Sequence, residues 1–273
     1  MVIDHQTRLF GVMGNPIGHT LSPVMHNAAF AETGVNAVYL AFETTDAEGC
    51  LQGIRSFGMK GMSVTIPHKS AAIPHLDAVD ETAKRIGAVN TIVNREGRLY
   101  GFNTDAIGAL KALEDRMDLP GKTGLIIGAG GAARAIGFAL KQKGVHVTIA
   151  NRSTERGAHL ARFLGCAFSP LDGIGGIHPD LLVQTTPVGM HPHIDACIVA
   201  PEFLEKGMIV MDIVYNPMET KLLALARSRG CLTISGLDMF INQGAEQFRL
   251  WTGLEPPVAV MSRAVEAALG INP

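Results

Sequence analysis

The sequence predicts an α/β protein with two sheet-forming domains and two helices near its C-terminal end. An apolar run at residues 125–127 leads directly into a turn with glycine at positions 128 and 130, and helical composition follows. Predicted strands and helices also alternate before and after this segment, which is typical of parallel sheets with covered faces. At 273 residues the chain exceeds the usual size of one domain, so two domains are expected.

Composition places the chain among globular proteins. Hydrophobic residues make up 47% of the chain and charged residues 18%, so it can bury a sizeable core and is not expected to be disordered. The formal net charge of −2 provides no global attraction to nucleic acid or to an anionic membrane, and we expect neither as a partner. Any anionic ligand must therefore be held by a local site.

The expected location is the cytoplasm. The N-terminal residues lack a basic start followed by an apolar segment, and no apolar run is long enough to span a bilayer. His191 and His193 have no third ligand at metal-binding spacing, so no metal site is predicted. The cysteines are scattered, without a C-x-x-C pair, which is the pattern of free thiols in a reducing compartment. They are Cys50, Cys166, Cys197 and Cys231.

The first expected domain, residues 1–104, carries hydroxyl groups in the loop after its first strand. Thr20 and Ser22 lie in that loop, at the carboxyl end of a strand, where α/β sheets bind ligands. Taken alone, these two residues are more often explained by capping of the next helix. The strands are predicted at 9–13, 37–42 and 62–66, and the helices at 24–33 and 46–57.

Three polar segments follow along the chain. Lys69 ends the segment Val-Thr-Ile-Pro-His-Lys near the edge of the predicted sheet, although a single lysine is usually a solvated surface charge. Asn90 and Asp105 belong to two short segments that each contain an Asn-Thr pair. Asp105 stands where a helix at residues 106–118 begins, so helix capping is its simplest interpretation.

The glycine turn predicts a doubly wound, Rossmann-type domain at residues 105–237. A strand, a tight turn and a helix in this order bring bare backbone N–H groups and the positive helix end toward a phosphate. Gly128 permits the turn, Gly130 lets a pyrophosphate approach the main chain, and Ala133 lets helix and strand pack closely. The turn therefore predicts a dinucleotide cofactor. The residues expected to contact it here are Gly128, Ala129, Gly130, Gly131 and Ala132.

The residues after the next strand, at 145–150, favour NADP over NAD. An NAD site places Asp or Glu at this position to bind the ribose hydroxyls, whereas this chain has Asn151, Arg152 and Ser153. Arg152 and Arg156 can grip a 2′-phosphate through charge-assisted hydrogen bonds, while a carboxylate would repel it. The alternative is a solvated helix start, for which arginine in the first turn is a poor choice because of the helix dipole.

The remaining strands of this domain end in loops that we expect to flank the nicotinamide half of the cofactor. The loops begin at Thr186 and Tyr215. Val214 and Gly236 are also expected to contact the cofactor. The strands are predicted at 181–185, 208–214 and 232–234, with a helix at 219–229.

Residues 238–273 are expected to form two helices that return to the first domain. The first helix, at 238–248, is amphipathic and places Gln243 and Gln247 four residues apart on one face. The second helix is predicted at 257–269. Because the nucleotide domain is already complete before these two helices, they most simply pack on the first domain, residues 1–104.

Taken together, these motifs resemble the shikimate dehydrogenase family over nearly the whole chain. Six segments occur in the family's order and near its spacing, and Gln243 follows them. The resemblance implies reversible, NADP-linked reduction of 3-dehydroshikimate to shikimate, a step of aromatic amino-acid biosynthesis with a small-molecule substrate. The segments are Gly14-Asn-Pro-Ile-Gly-His-Thr-Leu-Ser-Pro23, Val64-Thr-Ile-Pro-His-Lys69, Ala88-Val-Asn-Thr91, Gly101-Phe-Asn-Thr-Asp105, Gly128-Ala-Gly-Gly-Ala-Ala133 and Asn151-Arg-Ser153.

The resemblance also implies roles for single residues. Lys69 and Asp105 correspond to the family's catalytic pair. Reduction of a carbonyl needs a proton donor beside the developing alkoxide, which agrees with that assignment. The substrate-binding positions are Thr20, Ser22 and Tyr215 around the carboxylate, and Thr65, Asn90 and Gln243 for the ring hydroxyls.

Departures from the family's pattern leave the substrate open between related compounds. Thr20 stands in place of the usual serine, and Ser63 stands where an Asn commonly precedes Val-Thr. Phe102 and Ala106 flank Asn-Thr-Asp where the family often has polar or glycine residues. Quinate or an aminated shikimate analogue is therefore the alternative substrate.

A non-catalytic NADP-binding regulatory protein is the alternative outside enzymes. The presence of both Lys69 and Asp105 argues against it, because a sensor has no need of an acid–base pair. The sequence leaves monomer and homodimer open.

Overall fold

The chain forms two compact units in a computed structural model that describes residues 3–271. The first unit contains the described residues up to Thr104 together with those from Ile241 onward, and the second runs from Asp105 to Phe240. Each unit contains a six-stranded sheet and several helices, which confirms the predicted α/β fold class. No helix within residues 3–271 has the length and apolar character needed to cross a membrane.

The N-terminal part of the first unit provides its whole sheet. The strands are β1 (Arg8–Gly14), β2 (Ala37–Glu43), β3 (Gly61–Val64), β4 (Ala78–Val79), β5 (Thr91–Arg95) and β6 (Arg98–Phe102). Their order in the sheet is β2-β1-β3-β5-β6-β4. The α-helices of this part are α1 (Ser22–Glu32), α2 (Ala47–Ser56) and α3 (Glu81–Ile86), and a 3₁₀ helix spans Ile73–His75.

The hairpin of β5 and β6 was not predicted from the sequence. β5 pairs antiparallel with both β3 and β6, whereas β1 pairs in parallel with β2 and β3. The two-residue turn consists of Glu96 (φ 54°) and Gly97 (φ 85°), and two positive φ angles are typical of the hairpin turn that matches strand twist. Glutamate is uncommon at such a φ, so the usual Asn-Gly signal is absent here.

One edge of this sheet is covered by a side chain. β2 is the edge strand, and Tyr39 lies in its middle. The Asn27 amide of α1 donates to the carbonyl of Tyr39 at 2.9 Å, and its oxygen accepts from the N–H of Tyr39 at 2.8 Å. Both backbone polar groups of Tyr39 are thereby bonded to a side chain of the same chain.

The second unit has an entirely parallel sheet. Its strands are β7 (Thr123–Ile127), β8 (His146–Asn151), β9 (Ala167–Pro170), β10 (Leu181–Gln184), β11 (Ile209–Asp212) and β12 (Leu232–Ile234). The order β9-β8-β7-β10-β11-β12 is that of the doubly wound Rossmann fold, so this prediction is confirmed. The α-helices are α4 (Asp105–Glu114), α5 (Gly131–Gln142), α6 (Thr154–Leu164) and α7 (Lys221–Ser228), and 3₁₀ helices span Leu171–Gly176 and Pro201–Phe203.

Alternate residues of β7 point into two separate cores of the second unit. Ile126 belongs to a cluster that also contains Leu113 of α4 and Ile136 of α5. Leu125 belongs to a cluster on the other face that contains Leu222 of α7. Covered faces explain why the strand reads as a continuous apolar run instead of an alternating pattern.

The C-terminal helices are α8 (Gly236–Thr252) and α9 (Val258–Ala268), and they belong to the first unit from Ile241 onward. Near the end of α8, the Trp251 indole donates to the carbonyl of Ile92 at 2.9 Å. Its ring centroid lies 5.3 Å from that of Phe10. Gly61 of β3 provides the space, because a Cβ there would lie 2.2 Å from the indole nitrogen. α9 packs against α1, so the predicted return of the C-terminal helices is confirmed.

Asp212, the last residue of β11, is a buried carboxyl group. It is 0% exposed, and it accepts hydrogen bonds from the N–H of Val214 at 3.0 Å and the hydroxyl of Thr220 at 2.7 Å. Burial raises the pKa of the Asp212 carboxyl to about 6, although both hydrogen bonds act in the opposite direction. The carboxyl group therefore ties the loop after β11 to the start of α7.

We expect the Asp212→Asn variant to lose a pH-dependent contribution to stability. Because the pKa is raised in the folded state, the wild type keeps this proton longer when folded than when unfolded. The contribution of the Asp212 carboxyl to the wild-type free energy of unfolding therefore falls as pH rises from about 4 to about 6, by about 3 kcal/mol in all. The free energy of unfolding of the variant, relative to wild type, should rise over the same window.

Chemical unfolding of both proteins across this pH range measures the effect. Asp172→Asn, at an exposed aspartate, serves as the control and should show a much smaller change. A difference between wild type and Asp212→Asn that does not vary with pH would contradict the expectation.

Candidate active site

The loops after β1 and β3 lie side by side at the carboxyl edge of the first sheet. β1 and β3 are parallel neighbours, and the N–H of Asn15 donates to the carbonyl of Ile66 at 2.9 Å. Gly14 allows this approach, because a Cβ there would lie 2.4 Å from Cγ2 of Thr65. The sheet thus brings together the two loops that carry the predicted substrate ligands of the first unit.

Thr20 and Ser22 bond to each other at the start of α1. The Thr20 hydroxyl donates to Oγ of Ser22 at 3.2 Å and accepts from the N–H of Ser22 at 3.3 Å. The N-cap position is occupied by Leu21, which makes no side-chain cap bond. The Thr20 hydroxyl nevertheless accepts the first N–H of α1, so the capping interpretation holds for Thr20 and not for Ser22.

Lys69 lies in a turn that is fixed on two sides. Its carbonyl accepts from the N–H of Val89 at 2.8 Å, and its side chain is half-buried. The neighbouring His68 is 3% exposed, and its ring Nε2 lies 2.7 Å from the carbonyl of Thr44. These contacts hold the backbone of the turn after β3, which determines where the Lys69 side chain starts.

Asn90 has its carboxamide bonded at both ends. Oδ1 accepts from the N–H of Thr104 and the hydroxyl of Thr91, both at 2.8 Å. Nδ2 donates to the hydroxyl of Thr104 at 2.9 Å and to Oε1 of Gln243 at 3.3 Å. The first unit thus places two of the predicted ring-hydroxyl ligands, Asn90 and Gln243, in direct contact.

The two predicted catalytic residues belong to different units. Lys69 lies in the first unit, and Asp105 is the first residue of the second. Asp105 opens α4 and is 4% exposed, directly after Thr104 in the chain. Their pairing stays a prediction.

The glycine turn after β7 has the shape expected of a phosphate-binding turn. Gly128 adopts φ +126°, and a Cβ there would lie 2.2 Å from the hydroxyl oxygen of Thr185. Gly130 is exposed and precedes α5, which no side chain among the described residues caps at its N-terminal end. A Cβ on Gly130 would meet nothing within 4 Å. First-turn N–H groups have no acceptor within their own helix, so this open end suits an anion.

The segment after β8 is a helix start that presents two arginines. Asn151 ends β8, and its amide donates to the carbonyl of Ser153 at 2.9 Å. Ser153 is the N-cap of α6, and its hydroxyl accepts from the N–H of Arg156. Arg152 and Arg156 are exposed. Both the helix start and the two accessible guanidinium groups are present, and an anion is compatible with this arrangement.

The other predicted cofactor contacts lie in the loops after β10 and β11. Thr186 follows β10, and its hydroxyl accepts from the N–H of Val188 at 3.3 Å. Val214 is buried, and Gly236 lies against it, because a Cβ on Gly236 would be 2.6 Å from the Val214 carbonyl oxygen. Tyr215 is half-buried, and its ring stacks on that of Phe240 with the ring centroids 4.5 Å apart. These positions share the carboxyl edge of the second sheet with the glycine turn.

The sequence assigns no role to three buried polar side chains around these loops, Gln184, Asp212 and Gln247. Gln184 donates to the carbonyls of Thr186 and Val188 at 2.8 and 3.0 Å, which shapes the loop after β10. Asp212 shapes the loop after β11 by accepting from the N–H of Val214, and Gln247 donates to the carbonyl of Asn90. A polar residue at the end of an apolar strand was the available signal for Gln184 and Asp212.

The absence of a metal site stays a prediction. Within residues 3–271, no group of three or more His, Cys, Asp or Glu side chains is arranged to hold a metal ion. His191 and His193 are exposed loop residues.

Family models match three parts of the chain. Residues 12–92 match the shikimate dehydrogenase substrate binding domain, and residues 110–176 match shikimate/quinate 5-dehydrogenase. Residues 236–266 match the shikimate 5′-dehydrogenase C-terminal domain. The matched segments follow one another along the chain and fall in both units.

Individual proteins are similar over nearly the full length. Shikimate dehydrogenase (NADP(+)) of Moorella thermoacetica is 49% identical, over 99% of this chain and 96% of the relative. A crystal structure of a shikimate dehydrogenase with NADP+ is 41% identical, with a TM-score of 0.94 and 98% of each chain covered. The Thermus thermophilus enzyme, crystallised with NADP(H) and shikimate, is 40% identical, with a TM-score of 0.89, covering 96% of this chain and 100% of the other. The chain therefore belongs to the shikimate dehydrogenase family.

Proposed function

We propose that this protein is an NADP-dependent shikimate dehydrogenase, which catalyses the reversible reduction of 3-dehydroshikimate to shikimate in aromatic amino-acid biosynthesis. The proposal rests on similarity to enzymes of that name over nearly the whole chain. The site supports it, because hydroxyl and amide groups that suit a polyhydroxylated acid lie around the same sheet edge as Lys69.

The residues of the second unit fit the cofactor. The uncapped start of α5 and the open Gly130 would hold the pyrophosphate, and Arg152 with Arg156 would hold the 2′-phosphate. A carboxylate at the end of β8 would disfavour that phosphate, and Asn151 stands there instead. Bound NADPH supplies the hydride for the reduction.

Lys69 would transfer the proton of the reaction, and Asp105 would assist it. In the direction of reduction, the Lys69 ammonium donates a proton to the oxygen that develops negative charge, and in oxidation the amine takes it back. Asp105 would orient the ammonium and accept from a substrate hydroxyl. The half-buried position of Lys69 in a fixed turn supports this role, since general acids must be held within hydrogen-bond reach of the reacting atom.

The remaining predicted ligands would orient the substrate. Thr20, Ser22 and Tyr215 would bind the carboxylate, which hydroxyl donors can do in a site that excludes water. Thr65, Asn90 and Gln243 would bind the ring hydroxyls. Thr20 carries a methyl group where the family usually has serine, so quinate stays the alternative substrate at this end of the ring.

Partners and location are proposed from the same observations. We expect a small-molecule substrate, no nucleic acid and a monomer or homodimer. The four cysteines are free thiols in the structure, which suits the reducing cytoplasm.

The purified protein tests the proposal directly. Shikimate with NADP should raise the absorbance of reduced nicotinamide, with a higher kcat/KM than quinate or an aminated shikimate analogue. Turnover of quinate alone would move the assignment to the alternative substrate. Turnover of none of the three would refute the enzymatic proposal and favour a regulatory NADP-binding protein.

We expect Lys69→Met to lower kcat by about 10²- to 10⁴-fold, because that is the usual contribution of a positioned general acid. The dissociation constant for NADP, measured by calorimetry, should stay unchanged. Lys60→Met is the matched control, since Lys60 is exposed and precedes the opposite end of β3. Comparable kcat values for the two variants would remove Lys69 from the mechanism.

We expect Arg152→Ala to raise the KM for NADP by about 10- to 100-fold, because a charge-assisted hydrogen bond contributes about 1.5–3 kcal/mol. The KM for NAD should change little, since NAD lacks the 2′-phosphate. Arg162→Ala, at an exposed arginine near the other end of α6, is the control. Equal changes for both cofactors would exclude the phosphate contact.

A further inference from the structure

Gln247 is a fully bonded amide in the core of the first unit. It lies on α8 one turn after Gln243 and is 2% exposed. Its Nε2 donates to the carbonyl of Asn90 at 3.1 Å and to the hydroxyl of Thr91 at 3.0 Å. Its Oε1 accepts from the hydroxyl of Ser63 at 3.0 Å. The function proposed above assigns no role to this residue.

The partners of Gln247 fix which end of its amide points where. Ser63 accepts from the Tyr39 hydroxyl at 2.6 Å, so its single proton is left for Oε1 of Gln247. His26 lies on the same side, with Nε2 at 3.3 Å from that oxygen. Burial lowers the pKa of His26 to about 3, so the ring is neutral and contacts Oε1 as the Nε2–H tautomer. Its Nδ1 has no hydrogen-bond partner among the described residues.

The same logic extends from Gln247 to Asn90. Because Nε2 of Gln247 donates to the Thr91 hydroxyl, the proton of that hydroxyl is left for Oδ1 of Asn90, at 2.8 Å. With Oδ1 fixed on this side, the Asn90 Nδ2 faces Gln243. We call the series Tyr39, Ser63, Gln247, Thr91 and Asn90 the donor chain, since each member donates to the next.

We propose that Gln247 is a positioning residue for substrate binding, and that the donor chain fixes the orientation of the Asn90 and Gln243 amides. This inference rests on the proposed function, in which those two amides bind the ring hydroxyls. A reversed amide would present a donor where an acceptor is required, and it would leave a buried polar group unpaired. Gln247 thereby acts on ring-hydroxyl recognition through Asn90.

The Gln247→Glu variant tests the donor half of this amide, because glutamate keeps the length and the acceptor but lacks the N–H groups. We expect the KM for shikimate to rise about 10- to 100-fold, from the loss of buried hydrogen bonds. The KM for NADP should stay within about twofold, because Gln247 lies in the unit without the cofactor site. An unchanged KM for shikimate would overturn the proposal.

Phe248→Leu is the matched control, at the next residue of α8. Phe248 is 0% exposed and lies outside the donor chain. Its ring packs on that of Phe30, with the two ring centroids 5.8 Å apart. It should lower the melting temperature and leave the KM for shikimate unchanged. An equal rise of that KM in both variants would assign the effect to packing and refute the positioning role.

Hydrogen exchange provides a readout that does not depend on activity. The N–H of Thr104 donates to Oδ1 of Asn90, so its protection should fall in Gln247→Glu and in Gln247→Met, without any ligand present. Unchanged protection in both variants would overturn the donor chain even if turnover changed. A wild type without turnover would refute the proposed function, while Thr104 exchange would still report on the donor chain.

Discussion

Parallel pairing of β-strands is the constraint on which both units depend. A parallel pair needs a crossover, so each following loop starts at the same edge of the sheet. In the second unit this aligns the loops after β7, β8, β10 and β11. In the first unit it aligns the loops after β1, β2 and β3. The antiparallel hairpin brings Asn90, just before β5, and Thr104, just after β6, to the same edge.

The parts of the fold that could be predicted are those with local physical causes. The apolar run before Gly128, the glycines themselves and the regular alternation of elements depend on neighbouring residues only, and they led to the correct fold class. The absence of an acidic residue at Asn151 is equally local. The hairpin of β5 and β6 could not be predicted in this way, because its turn has Glu96 at positive φ, where asparagine or glycine is the usual signal.

The buried polar contacts could not be predicted, because their partners are distant in sequence. Gln247 and Asn90 are separated by 157 residues, and only the folded chain shows that the amide of one bonds the carbonyl of the other. Ser63 illustrates the same point. It was recognised as a departure from the family's pattern, but its bonds to Tyr39 and Gln247 required the structure. The catalytic and binding roles of the individual site residues stay predictions.

The bonds between the Asn27 amide of α1 and the edge strand β2 have a consequence for how copies of this protein can meet. An exposed edge strand is a template that another strand can extend, and natural proteins block such edges in several ways. Here the block is one carboxamide that imitates the next strand at Tyr39 and uses both of its backbone groups. A second molecule can continue the sheet through Tyr39 only after displacing Asn27, so the edge resists extension at this residue.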